Sequence, residues 1–174
     1  MKANLQSNIV TNDETTLYIM CGLPGSGKST WAKSFKEKLE KSGYKCVIVS
    51  RDDIRFSLIQ NGNYFSKEKE TFNSYCDTIQ KYLDMGYQVI ADATQIDSTS
   101  RAKLLNHLEI AEDVHVSCVY INTPIEKCKE YNSKRDGMRK VPEVVIERMN
   151  AKKMPPTLRE YNGFNYDSII NVEG

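Results

Sequence analysis

Short apolar runs recur along the chain, each followed by a stretch with helical spacing. Thr16–Cys21 (TLYIMC) is continuously apolar and ends at a glycine, which predicts a strand buried on both faces. Ser29–Leu39 places Trp31, Ala32, Phe35 and Leu39 on one helical face, with Gly43 as a stop. Lys45–Ser50 (KCVIVS) predicts a second strand. From Asp52 to Met85 the spacing is helical, with one break at Gln60–Tyr64 (QNGNY). Gly86 leads into a third strand, Tyr87–Ala93 (YQVIADA). Ser98 suits the cap of a helix reaching about Glu112, and Val114–Ile121 (VHVSCVYI) predicts a fourth strand. Pro124 fits the first turn of a helix to about Arg135, and Pro142 that of another through Met154, which Pro155 and Pro156 end. Tyr166–Val172 (YDSIINV) predicts the last strand.

Strands alternating with helices define an α/β fold with a largely parallel, five-stranded sheet. Right-handed crossovers put helices on both faces. No repeat or low-complexity linker divides the chain, so one domain is expected over 15–174, behind a flexible polar tail at 1–14. The tail has no apolar core of the signal-peptide kind, and no run approaches the ~20 residues of a membrane helix. The 174 residues carry 27% charged side chains but a formal net charge of +1. That excludes a protein that coats nucleic acid through bulk charge; any polyanion must meet a local patch. Cys21, Cys46, Cys76, Cys118 and Cys128 form no CxxC pair, and His107 and His115 are not at ligand spacing from them. Free thiols in a reducing cytoplasm are expected.

The chemistry begins after the first strand. Gly22, Leu23, Pro24, Gly25, Ser26, Gly27, Lys28, Ser29 and Thr30 read GLPGSGKST and fit G-x-x-x-x-G-K-[ST]. Glycines let the backbone close around a phosphate with its N–H groups inward, and the next helix offers unsatisfied N–H groups and a partial positive charge. Lys28 would reach the β and γ phosphates of ATP, and the Ser29 hydroxyl would bind Mg²⁺. A glycine-rich turn with an incidental lysine is the bland alternative, but the strand before and the helix after are the context the motif requires. A GTPase would need N-K-x-D, which NSKRD fails, and a motor ATPase a strand ending in Asp-Glu, where this chain has Asp92-Ala93. Both absences favour transfer to a hydroxyl over transfer to water.

The second strand runs into RDDIR, Arg51–Arg55. Ligands of open α/β sheets bind at the carboxyl ends of strands, and an attacking hydroxyl needs a base. Asp52 and Arg55, three apart, would share a helical face, one holding the hydroxyl and the other clamping an anion through its planar fork. One of Asp52 and Asp53 is expected to cap the helix.

These motifs together resemble the polynucleotide kinase branch of the P-loop kinases. The resemblance runs through GLPGSGKSTWA, RDDIR, DATQ, NSKRDGMRKVPEVV and YNGFNYDSIINV, nearly all of the chain after the tail. It implies an adenylate-kinase-like P-loop fold with a helical lid at about 124–154, and an ATP- and Mg²⁺-dependent kinase acting on a 5′-hydroxyl. It makes Asp52 the general base and Arg55 the ligand of the acceptor's phosphate. Asp92 would support that pocket near Arg55, with Thr94 and Gln95, a Gln where the family has Asn. Arg135 would reach from the lid to the transferring phosphate, Arg139 would be a second lid contact to ATP, and Tyr131 stands where relatives place an Arg near the adenine. Arg101 is a further candidate for the acceptor patch. Among nearby aromatics, Phe72 and Tyr75 fit a buried stripe, whereas Tyr64 and Phe65 suit stacking on a short or single-stranded nucleic acid. A small-molecule, nucleoside or aminoacyl-tRNA kinase, and a nucleotide-dependent binding module, are the other readings.

Overall fold

The computed structural model describes residues 3–4, 14–59, 63, 65–160 and 163–174. Its strands are β1 (Ala3–Asn4), β2 (Thr16–Cys21), β3 (Cys46–Ser50), β4 (Gln88–Asp92), β5 (His115–Asn122) and β6 (Ser168–Glu173). Its helices are α1 (Lys28–Lys41), α2 (Arg51–Leu58), α3 (Glu68–Asp84), α4 (Ser98–Leu105), α5 (Ile125–Ser133) and α6 (Glu143–Lys152), with a 3₁₀ turn at Gly137–Arg139. The sheet order is β1-β6-β5-β2-β4-β3. The five strands from β6 to β3 are parallel, as the pattern predicts.

The sixth strand is additional to the five that the pattern predicts. Ala3 and Asn4, assigned to a flexible tail, pair antiparallel with Val172 and Asn171. Two residues carry no periodicity, so the sequence has no pattern to read there. Most of the rest of the tail, and of the break at Gln60–Tyr64 including Tyr64, lies outside the described residues.

The central strands β2, β4 and β5 are buried along nearly their whole length because both faces are covered. On one face Leu17, Ile19, Val89, Ala91, Val116 and Cys118 pack under Tyr75, Cys76 and Ile79 of α3 and Leu104 and Leu105 of α4. On the other, Tyr18, Met20, Ile90, Val119 and Ile121 pack under Ala32 of α1 with Trp31, Phe35 and Leu39. Phe72 and Tyr75 are core, in line with their helical spacing, and the five free thiols are buried. No helix among the described residues is long and apolar enough to cross a membrane.

Two helix ends differ from the pattern. Asp97, not Ser98, caps α4, accepting from the Ser100 N–H at 2.7 Å in a capping box. The helix stops at Leu105 rather than near Glu112. There the Gln80 side chain of α3 takes both main-chain groups of Glu109, accepting at 2.9 Å and donating at 3.1 Å, which substitutes for another helical turn.

Candidate active site

β2 delivers the chain into the phosphate loop. The Gly22 N–H donates to Thr94 O at 3.0 Å, so the loop after β4 is tied to the loop after β2. Gly27 (φ 92°) is the N-cap of α1 and offers no side chain to its N–H groups, which leaves them open toward the loop. Gly25 has φ 80°, and a Cβ there would meet the carbonyl oxygen of Cys128 in α5 at 2.2 Å. Only glycine fits this approach of the α5 main chain to the phosphate loop.

Lys28 is buried and curls over the loop, donating to Gly22 O at 2.9 Å and Leu23 O at 2.8 Å. Burial pushes its ammonium below the usual lysine range; Asp92 opposes the shift, Arg135 adds to it, and Asp52 opposes it. Asp92, Arg135 and Asp52 therefore all lie within electrostatic reach of one ammonium, three of the residues expected at the site. The Ser29 hydroxyl donates to Asp92 Oδ2 at 2.7 Å. Asp92, expected beside Arg55, is thus hydrogen-bonded into the phosphate loop.

β3 and β4 are in register at Ser50 and Asp92, which sets the start of α2 beside this corner. Ser50 caps α2, its hydroxyl accepting from the Asp53 N–H at 3.2 Å. Neither aspartate is the cap, contrary to expectation, so both carboxylates are available to other partners. Asp52 pairs with Arg55 one turn on. The Arg55 side chain is 8% exposed and that of Asp52 54%, so the guanidinium lies beneath and the carboxylate projects.

Sequence reasoning missed the partner that organises this edge. Arg55 donates from Nε and Nη2 to Glu68 Oε2 at 3.2 and 3.0 Å, and Arg51 also pairs with Glu68. Glu68 lies in the first turn of α3, on the far side of the predicted break, and nothing in its local sequence marks it. The Arg51 guanidinium stacks over Phe72 at 5.3 Å, while exposed Phe65 lies 5.9 Å from that of Arg55.

The segment expected to form the lid comprises α5, the 3₁₀ turn and α6. It is stapled internally by buried Asn132, which donates to Val141 O at 2.7 Å and accepts from Val141 N at 3.0 Å. Leu23 of the phosphate loop, Ile96 and Cys128 form its root. Arg139, expected as a second lid contact to ATP, reaches α2. It donates to Asp53 Oδ1 at 2.7 Å and covers Phe56 at 4.9 Å, linking the lid to α2. Tyr131 is exposed, with Lys134 5.5 Å from its ring.

One acceptor candidate is corrected. Arg101 is fully buried. It donates to Glu160 Oε1 at 2.8 Å, to the carbonyls of Gln95 and Met154 at 3.2 and 3.1 Å, and toward Cys21 Sγ at 3.4 Å. It is a structural tie between β2, the loop after β4 and the segment after the lid. Gln95, expected at the acceptor side, has φ 37° and a buried side chain whose Oε1 has no hydrogen-bond partner among the described residues.

A family model described as an AAA domain matches residues 17–156. The chain is 29% identical over 136 residues to the L-seryl-tRNA(Sec) kinase of Methanococcus maripaludis, spanning 78% of this chain and 51% of that protein. It is 31% identical over 156 residues to a probable adenylyl-sulfate kinase of Halalkalibacterium halodurans, spanning 87% and 69%. It is 26% identical over 165 residues to an Autographa californica nuclear polyhedrosis virus protein whose name pairs polynucleotide kinase with RNA ligase, spanning 86% and 22%. The chain spans about half the length of the first curated relatives it matches. In fold it is similar to Chaetomium thermophilum Kti12 in complex with ADP-AlF3, with a TM-score of 0.68, 18% identity and coverage of 90% and 88%.

Proposed function

The chain belongs to the AAA domain family and has the fold of a P-loop kinase; from that premise we propose that it transfers the γ-phosphoryl group of ATP to a hydroxyl, the 5′ end of a short or single-stranded polynucleotide. The observation that carries this reading is the placement of Asp52. Its carboxylate projects from the first turn of α2, is backed by Arg55, and acts electrostatically on the phosphate-loop lysine. A base there faces an alcohol lying between α2 and the terminal phosphate.

In this reading Lys28 leaves the carbonyls of Gly22 and Leu23 for the β and γ phosphates. Asp52 accepts the hydroxyl proton as the hydroxyl oxygen bonds to the γ phosphorus, the bond to the β–γ bridging oxygen breaks, and ADP departs. Arg135, on the lid side of Lys28, offsets the charge that develops on the transferring group. Tyr131 offers a ring to the nucleobase.

Ser29 Oγ and Asp92 Oδ2 are hard oxygen donors, the set Mg²⁺ prefers. Among the described residues no group of three or more His, Cys, Asp or Glu could hold a metal alone, which suits an ion that arrives with the phosphates. Ser29 and Asp92 would hold it, and its charge would neutralise the β and γ oxygens.

A second reading, a kinase of a small or tRNA-borne alcohol, is favoured by the balance of charge at the acceptor edge. Arg51 and Arg55 face Asp52 and Glu68 there, a wall without the cationic excess that a long polyanion prefers. Labelled ATP offered with a 5′-hydroxyl oligonucleotide, adenylyl sulfate or seryl-tRNA separates the two. The polynucleotide reading expects label on the oligonucleotide 5′ end; label on another acceptor alone refutes it. Asp52→Asn is expected to lower kcat roughly 10²–10⁴-fold with affinity for an ATP analogue kept.

A further inference from the structure

Glu68 belongs to no phosphate-loop, acceptor or lid motif, yet its carboxylate sits between two guanidiniums. Arg55 holds it through Nε and Nη2, the side-on geometry that arginine also uses for a phosphate. Arg51 closes the other side and keeps a buried Nε with no hydrogen-bond partner among the described residues. A phosphate brings more acceptor oxygens than a carboxylate, so this donor suits a ligand larger than the one present. Phe65 and Phe72, against Arg55 and Arg51, confine the two guanidiniums.

We propose that Glu68 is a specificity-determining residue: its carboxylate fills the Arg51–Arg55 fork in the free protein and competes there with the anionic group of the acceptor. An acceptor with a phosphate next to its reactive hydroxyl displaces Glu68, and a neutral acceptor leaves the fork closed. Glu68 enters the chain at the first residue of α3, whereas both arginines belong to α2. Displacement therefore separates two helices' ends without unfolding either. The inference rests on the reading of the α2 edge as the acceptor side.

The test removes the charge and keeps the shape, with Glu68→Gln. Inorganic phosphate is titrated calorimetrically into wild type and variant, with a non-hydrolysable ATP analogue and Mg²⁺ filling the phosphate loop. Loss of one like charge beside a half-buried anion site predicts binding about tenfold tighter, and Arg51→Gln in the same chain abolishes the gain. In transfer assays the KM for a nucleoside 3′-phosphate falls in Glu68→Gln, and that for the plain nucleoside does not. Phosphate binding that is unchanged or weaker in Glu68→Gln overturns the proposal. So does a loss that Glu68→Asp restores, since the carboxylate then serves merely to orient Arg55. Glu68→Ala gives the same titration should the glutamine variant fail to fold. A wild-type protein that phosphorylates no nucleotide refutes the polynucleotide reading by itself, and the phosphate titration still decides the role of Glu68.

Discussion

Replacing Arg101 by Ala asks whether this arginine is a substrate ligand or part of the interior. Its side chain is 1% exposed and that of Glu160 5%, with Nη2 and Oε1 2.7 Å apart. Removing the cation leaves a buried carboxylate without its counter-charge and takes the donor from the carbonyls of Gln95 and Met154. One-sided loss of a buried pair costs about 3–5 kcal/mol, a large share of the ~5–15 kcal/mol that holds a typical domain folded. At about 2–4 °C per kcal/mol for a chain of this size, Tm should fall by roughly 6–20 °C. Urea unfolding followed by circular dichroism measures the difference. The double variant Arg101→Met/Glu160→Leu should regain at least half of it, because apolar groups can replace a buried pair at little net cost. The acceptor KM of the folded fraction should stay at the wild-type value. A single variant within about 1 kcal/mol of wild type, with a raised acceptor KM, would refute the reasoning and return Arg101 to the acceptor patch.

Gly25→Ala meets both a positive φ, costing about 1–2 kcal/mol, and the Cys128 carbonyl, so the loop must shift. Affinity for an ATP analogue should drop more than tenfold in an equilibrium titration, and wild-type affinity would show that the loop does not need this approach. Because burial lowers the Lys28 pKa, the ammonium loses its proton at lower pH than a solvated lysine. ATP-analogue affinity should then decline on the alkaline side before pH ~10.4, and Lys28→Arg should flatten the profile. The sign for folding is opposite: the native state binds the proton less tightly than the unfolded chain, so this group's contribution to stability rises over the same window. Arg139→Ala removes an exposed pair with Asp53, so stability should change by less than about 1 kcal/mol. Steady-state kinetics should show a higher acceptor KM; a change in ATP KM alone would assign Arg139 to the nucleotide.

The strands and their parallel arrangement were legible because burial on both faces writes a continuous apolar run, and the phosphate loop because its spacing is fixed by backbone geometry. The contact between Asp52 and Arg55 was legible because they lie three apart on one helix. Glu68 was not, since it meets Arg55 across thirteen positions and a loop. Arg101 misled for a related reason: an arginine that caps carbonyls in the interior reads, in one dimension, like one that waits for a phosphate. Its Glu160 partner is 59 positions away. The helix caps went to Ser50 and Asp97 rather than to their neighbours because a cap is decided by which side chain reaches the N3 amide.

The contact between Gly25 and the Cys128 carbonyl has an architectural corollary. Helix α5 is also the rear buttress of the phosphate loop, and Thr123, just before it, braces the same loop by donating to Ser26 O at 2.8 Å. Excising 124–154 would therefore not yield an open but competent nucleotide binder. It would remove the scaffolding against which residues 22–27 keep their curvature.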